Sequence, residues 1–277
     1  AINYRLPMAS AQVKSCILLA GLYASGETQV IEPAPTRDHT ERMLRGFGCR
    51  VESHDGEIRL QGGQQLNATD IDVPADISSA AFFLVAASIA DNAELTLQHV
   101  GVNPTRTGVI EILRLMGADI CLQNERCIGG EPVADIVVRS AALHGIRIPE
   151  SLVPLAIDEF PVLFVAAACA QGETVLTGAE ELRVKESDRI QVMAEGLAAL
   201  GIKAQPTADG IRIQGGEILG GGVDSHGDHR IAMAFSVASI RARDNIVVTN
   251  CSNVNTSFPG YVELANSVGL RINSYDS

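Results

Sequence analysis

One pattern recurs four times along the chain and narrows the folds open to it. A stretch of small apolar residues comes first: Ala11–Ala24, Ala80–Ala90, Val162–Ala170 and Ile231–Ile240. A turn and a short β-rich run follow, as in Gly26-Glu27-Thr28-Gln29-Val30-Ile31, Ala93-Glu94-Leu95-Thr96-Leu97, Gly172-Glu173-Thr174-Val175-Leu176 and Asn245-Ile246-Val247-Val248-Thr249. Next comes a polar loop with Arg, Asp or Thr, then a second helical stretch: Thr40–Phe47, Gly108–Met116, Asp188–Leu200 and Tyr261–Val268. Each second stretch stops at a glycine (Gly48, Gly117, Gly201, Gly269), the residue that most easily takes the left-handed turn ending a helix. The copies lie roughly 70 residues apart, too long for a solenoid and suited to a compact unit of two helices and several strands. Helices alternating with strands predict a mixed α/β (α+β) class. The stretch Gln61–Ala75, with Gly62-Gly63 followed by Ile71-Asp72-Val73-Pro74, reads as a connection between domains.

Composition matters where it limits the core and the ligand. Hydrophobic residues are 46% and aromatics only 4%, with no Trp, so the core must be built from Ala, Val, Ile and Leu. The longest apolar run, Ala80–Ala87, is too short to span a bilayer. The N-terminus lacks a basic stretch followed by an apolar one, so no secretory signal is read. A net charge of −12 argues against nucleic acid and anionic membrane as partners. An anionic ligand would need cations gathered locally against that field. Six cysteines without a CxxC pair predict reduced core thiols and a cytoplasmic protein. The chain begins at Ala1 rather than Met, which suggests a processed or excised piece.

Searches for a Walker A loop, a GxSxG elbow, an HExxH helix or a GxGxxG turn are negative, and Gly220-Gly221-Gly222 alone is weak as a phosphate loop. His39 and His229 each follow an Asp, which fits a helix-capping Asp beside a hydrogen-bonded His better than a metal site. The cations are more informative. Arg189 and Arg230 fall in the first turn of predicted helices, after the capping pairs Ser187-Asp188 and Gly227-Asp228. A cation there opposes the helix dipole at a cost of roughly 0.3–1 kcal/mol. Such placement makes sense when an anion is shared between the side chain and free backbone N–H groups. The bland alternative is that each Arg pairs with its neighbouring Asp. Between a strand and a helix, residues 180–189 bring Arg183, Lys185 and Arg189 among four acids. That segment is either a salt-bridged surface loop or a site that binds phosphate and moves protons. Asp158 is either a helix cap or a catalytic carboxylate.

Four of these segments together resemble successive motifs of the 5-enolpyruvylshikimate-3-phosphate synthase family. They are Ser10-Ala11-Gln12-Val13-Lys14-Ser15, the run Thr36-Arg37-Asp38-His39-Thr40-Glu41-Arg42-Met43-Leu44, the run from Arg183 to Arg189, and Gly227-Asp228-His229-Arg230. The resemblance runs from the first residue to about Gly269, and it covers the C-terminal two-thirds of a family sequence. It implies a fold of βαβαββ units, three to a domain. Residues 1–74 would be the last unit of the first domain and residues 75–277 the second domain. The first two units would lie upstream, and with them the other loops that hold substrate, so that this chain alone would be inactive and would need the missing N-terminal portion. A terminal segment that completes the second domain would be missing too.

The reaction implied is transfer of enolpyruvyl from phosphoenolpyruvate to the 5-hydroxyl of shikimate 3-phosphate, with release of phosphate. By the same resemblance Ser10, Ala11, Gln12 and Arg37 hold shikimate 3-phosphate, while Asp158 and Lys185 contact its ring hydroxyls. Asp158 would take the hydroxyl proton. Glu186 would be the acid/base near the phosphoenolpyruvate methylene, and Lys185 stands with these two as catalytic. Arg189 and Arg230 would clamp phosphoenolpyruvate, the subsite that glyphosate is implied to occupy. No metal and no organic cofactor is expected. Thr256 departs from family members that carry Lys there. The alternatives are the related UDP-N-acetylglucosamine enolpyruvyl transferase of peptidoglycan synthesis, and a non-catalytic structural or binding fragment.

Overall fold

The computed structural model describes residues 1–275. The first unit contains β1 (Asn3–Arg5), α1 (Ala11–Gly21), β2 (Glu27–Ile31), α2 (His39–Gly46), β3 (Val51–His54) and β4 (Glu57–Gln61). β1 runs parallel to β2, and β4 lies antiparallel between β2 and β3, giving the order β1-β2-β4-β3. This is a complete βαβαββ unit.

The second unit contains α3 (Ile77–Ile89), β5 (Glu94–Gly101), α4 (Gly108–Leu115), β6 (Asp119–Ile128) and β7 (Glu131–Arg139), in sheet order β5-β7-β6. Its first strand is reduced to one parallel bridge, Ala75 to Val100. The third contains α5 (Phe160–Cys169), β8 (Glu173–Leu176), α6 (Arg189–Ala199), β9 (Lys203–Thr207) and β10 (Gly210–Gln214), in order β8-β10-β9. Parallel bridges from His144 to Gln171 and from Arg147 to Val175 stand for its first strand. The fourth contains β11 (Gly221–Asp224) parallel to β12 (Ile246–Thr249), with α7 (His229–Ala238) between them, then α8 (Val254–Ser257) and α9 (Tyr261–Ser267). The Gly220-Gly221-Gly222 run therefore leads into a strand.

The expected terminators are in place: Gly48, Gly117, Gly201 and Gly269 all have φ between 84° and 107°. A second glycine position repeats as well. Gly62 follows β4 and Gly215 follows β10, and both lie against carbonyls at and just beyond the end of the unit's first helix. A Cβ at Gly62 would come within 1.9 Å of the Ala24 carbonyl oxygen, and one at Gly215 within 1.7 Å of that of Ala170. The next amides close the turn: Gly63 N–H donates to the Leu22 carbonyl (2.8 Å) and Gly216 N–H to that of Ala168 (3.0 Å). Gly62-Gly63 thus completes the first unit, and the irregular connection begins after it.

Apolar burial forms two clusters. The larger gathers α3, α5 and α7 against one another and against the sheets of units two to four. These helices are apolar nearly all round, as helices enclosed on every side must be. Phe160, Phe164 and Phe235 are among the largest fully buried side chains, and each such side chain contributes about 1.5–3 kcal/mol of hydrophobic stabilisation. The smaller cluster comprises Leu6, Leu18, Leu22, Val30, Leu44, Cys49, Val51, Ile58 and Leu60. On the other face of α1, Val13 and Leu19 are exposed. All six cysteines are free, but only Cys49 is buried and Cys169 half-buried; Cys16, Cys121, Cys127 and Cys251 are exposed. The expectation of core thiols fails for these four, because they fall on outward positions of a helix, an outer strand and a loop.

Candidate active site

Helices α6 and α7 begin as the sequence predicts. Asp188 caps α6 by accepting from the Gln191 N–H (3.0 Å), and Asp228 caps α7 by accepting from that of Arg230 (2.9 Å). Neither following arginine pairs with its own capping Asp. Arg189 is fully buried and crosses to Asp228, with Nε 2.8 Å from Oδ2, while its Nη2 donates to Glu186 (2.6 Å). Its Nη1 lies 3.8 Å from Asp158 Oδ1 and makes no hydrogen bond. Asp188 is held instead by Arg183 (2.6 Å), which also donates to the carbonyls of Thr207 and Ala208. Arg183 is therefore part of the scaffold. Arg230 donates to the Asp158 carbonyl (3.2 Å).

Asp158 does not cap a helix, since the N-cap of α5 is Glu159. Its carboxylate is only 15% exposed and meets cations from three units: Arg37 of the first, Lys185 (3.6 Å) and Arg189 of the third, and Arg230 of the fourth nearby. Burial alone would raise its pKa, but the charges of Arg230, Arg37, Lys185 and Arg106 bring it down to about 2. Lys185 also pairs with Glu181, and Glu186 remains half exposed beside Arg189. Burial and the adjacent Arg230 hold His229 below the usual imidazole range, which favours the neutral ring.

Ser10, Ala11 and Gln12 open α1, where the Ser10 hydroxyl oxygen accepts from the Val13 N–H (3.3 Å). Their side chains do not touch the Asp158 group. The link is indirect. Buried Lys14 pairs with Glu41 (2.8 Å) and Glu32 (3.1 Å), Glu32 accepts from Thr36, and Thr36 precedes Arg37. Ser15 and Thr40 add a hydroxyl contact of 2.7 Å between α1 and α2. Thr256 is exposed on α8, and Asn253 ties this segment to the Gly227 carbonyl beside α7.

Three features escaped the sequence reading. Lys14 could have been noticed as the only charge in Ala11–Ala24. His39 binds Glu131 (2.8 Å), while Asp38 makes no capping bond and instead accepts from Arg42 and Asn103. Residues 102–106 join the units from behind, and beside them lies a largely apolar cavity of about 400 Å³ lined by Met43, Phe47, residues 69–77 and Ile128. Among the described residues no group of His, Cys, Asp and Glu is arranged to hold a metal ion, and no helix is long and apolar enough to cross a membrane.

Fold and site together define a class: an α/β protein of repeated βαβαββ units, with helix N-termini gathering cations around one carboxylate. The chain belongs to the EPSP synthase (3-phosphoshikimate 1-carboxyvinyltransferase) family, whose model it matches over residues 1–264. It is 68% identical over 277 residues to the 3-phosphoshikimate 1-carboxyvinyltransferase of Alkalilimnicola ehrlichii, covering 100% of this chain and 62% of that protein. The protein of the same name from Nitrosococcus oceani is 66% identical over 271 residues, covering 98% and 61%. A solved EPSP synthase from Acinetobacter baumannii superposes with a TM-score of 0.95 at 60% identity, covering 99% of this chain and 63% of that one. The chain thus spans a little over three-fifths of the length of these relatives.

Proposed function

We propose that these residues form the larger part of an active site that transfers enolpyruvyl from phosphoenolpyruvate to the 5-hydroxyl of shikimate 3-phosphate. The observation that carries the reading is the buried Arg189, whose Nη1 has no hydrogen-bond partner, within a ring of cations on Asp158. In a chain of net charge −12 such a ring suits two anionic substrates.

In this reading Arg37 and the Ser10-Ala11-Gln12 turn hold shikimate 3-phosphate, and Arg189 with Arg230 clamps phosphoenolpyruvate. Lys185 lies against the ring hydroxyls. Asp158 accepts the proton of the attacking hydroxyl, and Glu186 gives and takes the proton at the methylene carbon. A carboxylate held near a pKa of 2 is a weak base. Substrate phosphate and carboxylate groups would neutralise the surrounding cations and restore its basicity when the reactants are in place. Asp158→Ala in the full-length enzyme should lower turnover by roughly 10²–10⁴ with smaller changes in substrate binding. Near-normal turnover in a steady-state phosphate-release assay would remove Asp158 from the mechanism.

We also propose that residues 1–74 and 75–277 belong to two domains, a reading supported by the two separate apolar clusters. Domain closure around both anions would then complete the site. The remaining length of the relatives would supply the rest of the first domain, without which the isolated chain would not turn over.

A further inference from the structure

The loop from Val102 to Arg106 places no side chain against the Asp158 carboxylate, although the charge of Arg106 reaches it, and it grips a neighbour of each residue that spans the ring. Asn103 is 2% exposed. Its amide nitrogen donates to Asp38 Oδ1 (2.7 Å) and to Glu131 Oε2 (3.0 Å), and lies 3.4 Å from His39 Nδ1. Its carbonyl oxygen is fixed by the backbone N–H (2.9 Å) and hydroxyl (2.8 Å) of Thr105, so the amide cannot turn over without losing several bonds. Asp38 directly follows Arg37. Three residues along the loop, Arg106 donates to the Ser78 hydroxyl and lies 3.4 Å from Glu159 Oε1 and 3.8 Å from Asp76 Oδ1. Ser78 in turn donates to Glu159, which is buried and directly follows Asp158. The Arg106 backbone N–H donates to the Asn103 backbone carbonyl (2.8 Å), closing the loop into one turn.

From this geometry we propose that Asn103 and Arg106 are positioning residues that set the span between Arg37 and Asp158, Asn103 through Asp38 and Arg106 through Glu159. The inference rests on the reading of Arg37 as a shikimate 3-phosphate contact and of Asp158 as the base. Arg37 lies in the first unit and Asp158 in the third, 121 residues apart. A buried amide and a guanidinium on one short turn of the second unit link them through these neighbours, touching neither residue directly. Errors of about 1 Å at a reacting centre can cost on the order of 10²-fold.

Two readouts separate this role from simple structural support. In the 277-residue chain, hydrogen exchange followed by mass spectrometry should show Asn103→Leu opening the Arg42 amide, which donates to the Asp38 carbonyl, and Arg106→Met opening the amides of Ala156 and Glu159. Exchange in α5, α7 and β10 should be unchanged in both. This arm needs no substrate and reports even if the proposed reaction is wrong. In the full-length enzyme, Asn103→Leu should raise KM for shikimate 3-phosphate at least about tenfold and leave KM for phosphoenolpyruvate unchanged. Arg106→Met should mainly lower kcat, by about tenfold or more, and Arg106→Lys should recover most of the loss because it keeps the charge beside Glu159. Should Asn103→Leu fail to fold, Asn103→Ala, which removes the same donor toward Asp38 with a smaller side chain, carries the same KM test. Loosened amides with unchanged kinetics would overturn the proposal, as would equal effects of both variants on both Michaelis constants.

Discussion

Asp158 holds its charge because the cations around it outweigh the cost of its burial. A carboxylate whose pKa falls on folding stabilises the native state above its unfolded pKa, and that contribution is lost as pH falls through the folded value. A drop from the ordinary aspartate range to about 2 corresponds to about 2 kcal/mol at neutral pH. Asp158→Asn should therefore cost up to about 2 kcal/mol in urea unfolding near pH 7, and about half that near pH 3. A cost that is the same at both pH values would show that it comes from lost hydrogen bonding rather than from charge. At this scale the sequence was only partly legible. It showed which cations stood in odd places, but not their partners. Arg189 reaches Asp228, 39 residues on, and Arg37 reaches Asp158, 121 residues on. Local reasoning favours a neighbouring Asp, and the fold overrides it because α6 and α7 start side by side.

Elements were easier to read than residues, because helix ends carry local chemistry. The four terminal glycines and the caps Ser10, Asp188 and Asp228 mark real boundaries. Asp38 misleads for a physical reason: its carboxylate is drawn to Arg42 and Asn103, whose bonds hold its pKa low despite burial. The reduced first strands of the second and third units were not legible, since one or two bridges leave no β-rich run in the sequence. The glycine that packs under the first helix in the first and third units gives a test at this scale. Gly215→Ala would force a Cβ to within 1.7 Å of the Ala170 carbonyl oxygen, and backbone on both sides leaves little room to yield. It should cost about 1–3 kcal/mol, the usual range for overpacking. Gly222→Ala, whose Cβ would meet nothing within 4 Å, should fall within about 0.5 kcal/mol of the parent. Equal midpoints for the two variants in urea would mean that the close approach carries no energetic weight.

Across the whole molecule the four first helices meet different surroundings. α3, α5 and α7 bury one another, and beyond their first turns they are apolar nearly all round. α1 has the same small-residue character but buries only Lys14, Leu18 and Gly21, leaving Val13 and Leu19 in solvent, as are Met8 and Tyr23 at its two ends. Its unit has a core of nine buried apolar residues and joins the second unit through polar contacts, among them Asn103 to Asp38, His39 to Glu131 and Arg42 to the Gly130 carbonyl. An apolar helix face open to water favours any contact that covers it. We therefore expect the isolated 277-residue chain to associate through α1, with a sedimentation coefficient that rises with concentration. Leu19→Glu, placed on the exposed face and away from the nine core residues, should return it to a monomer while preserving its far-ultraviolet circular dichroism. The first unit should also lose hydrogen-exchange protection before the α3–α5–α7 core, since few buried contacts hold it. A parent chain that sediments as a monomer at every concentration would show that the exposed face of α1 is too small or too divided to drive association.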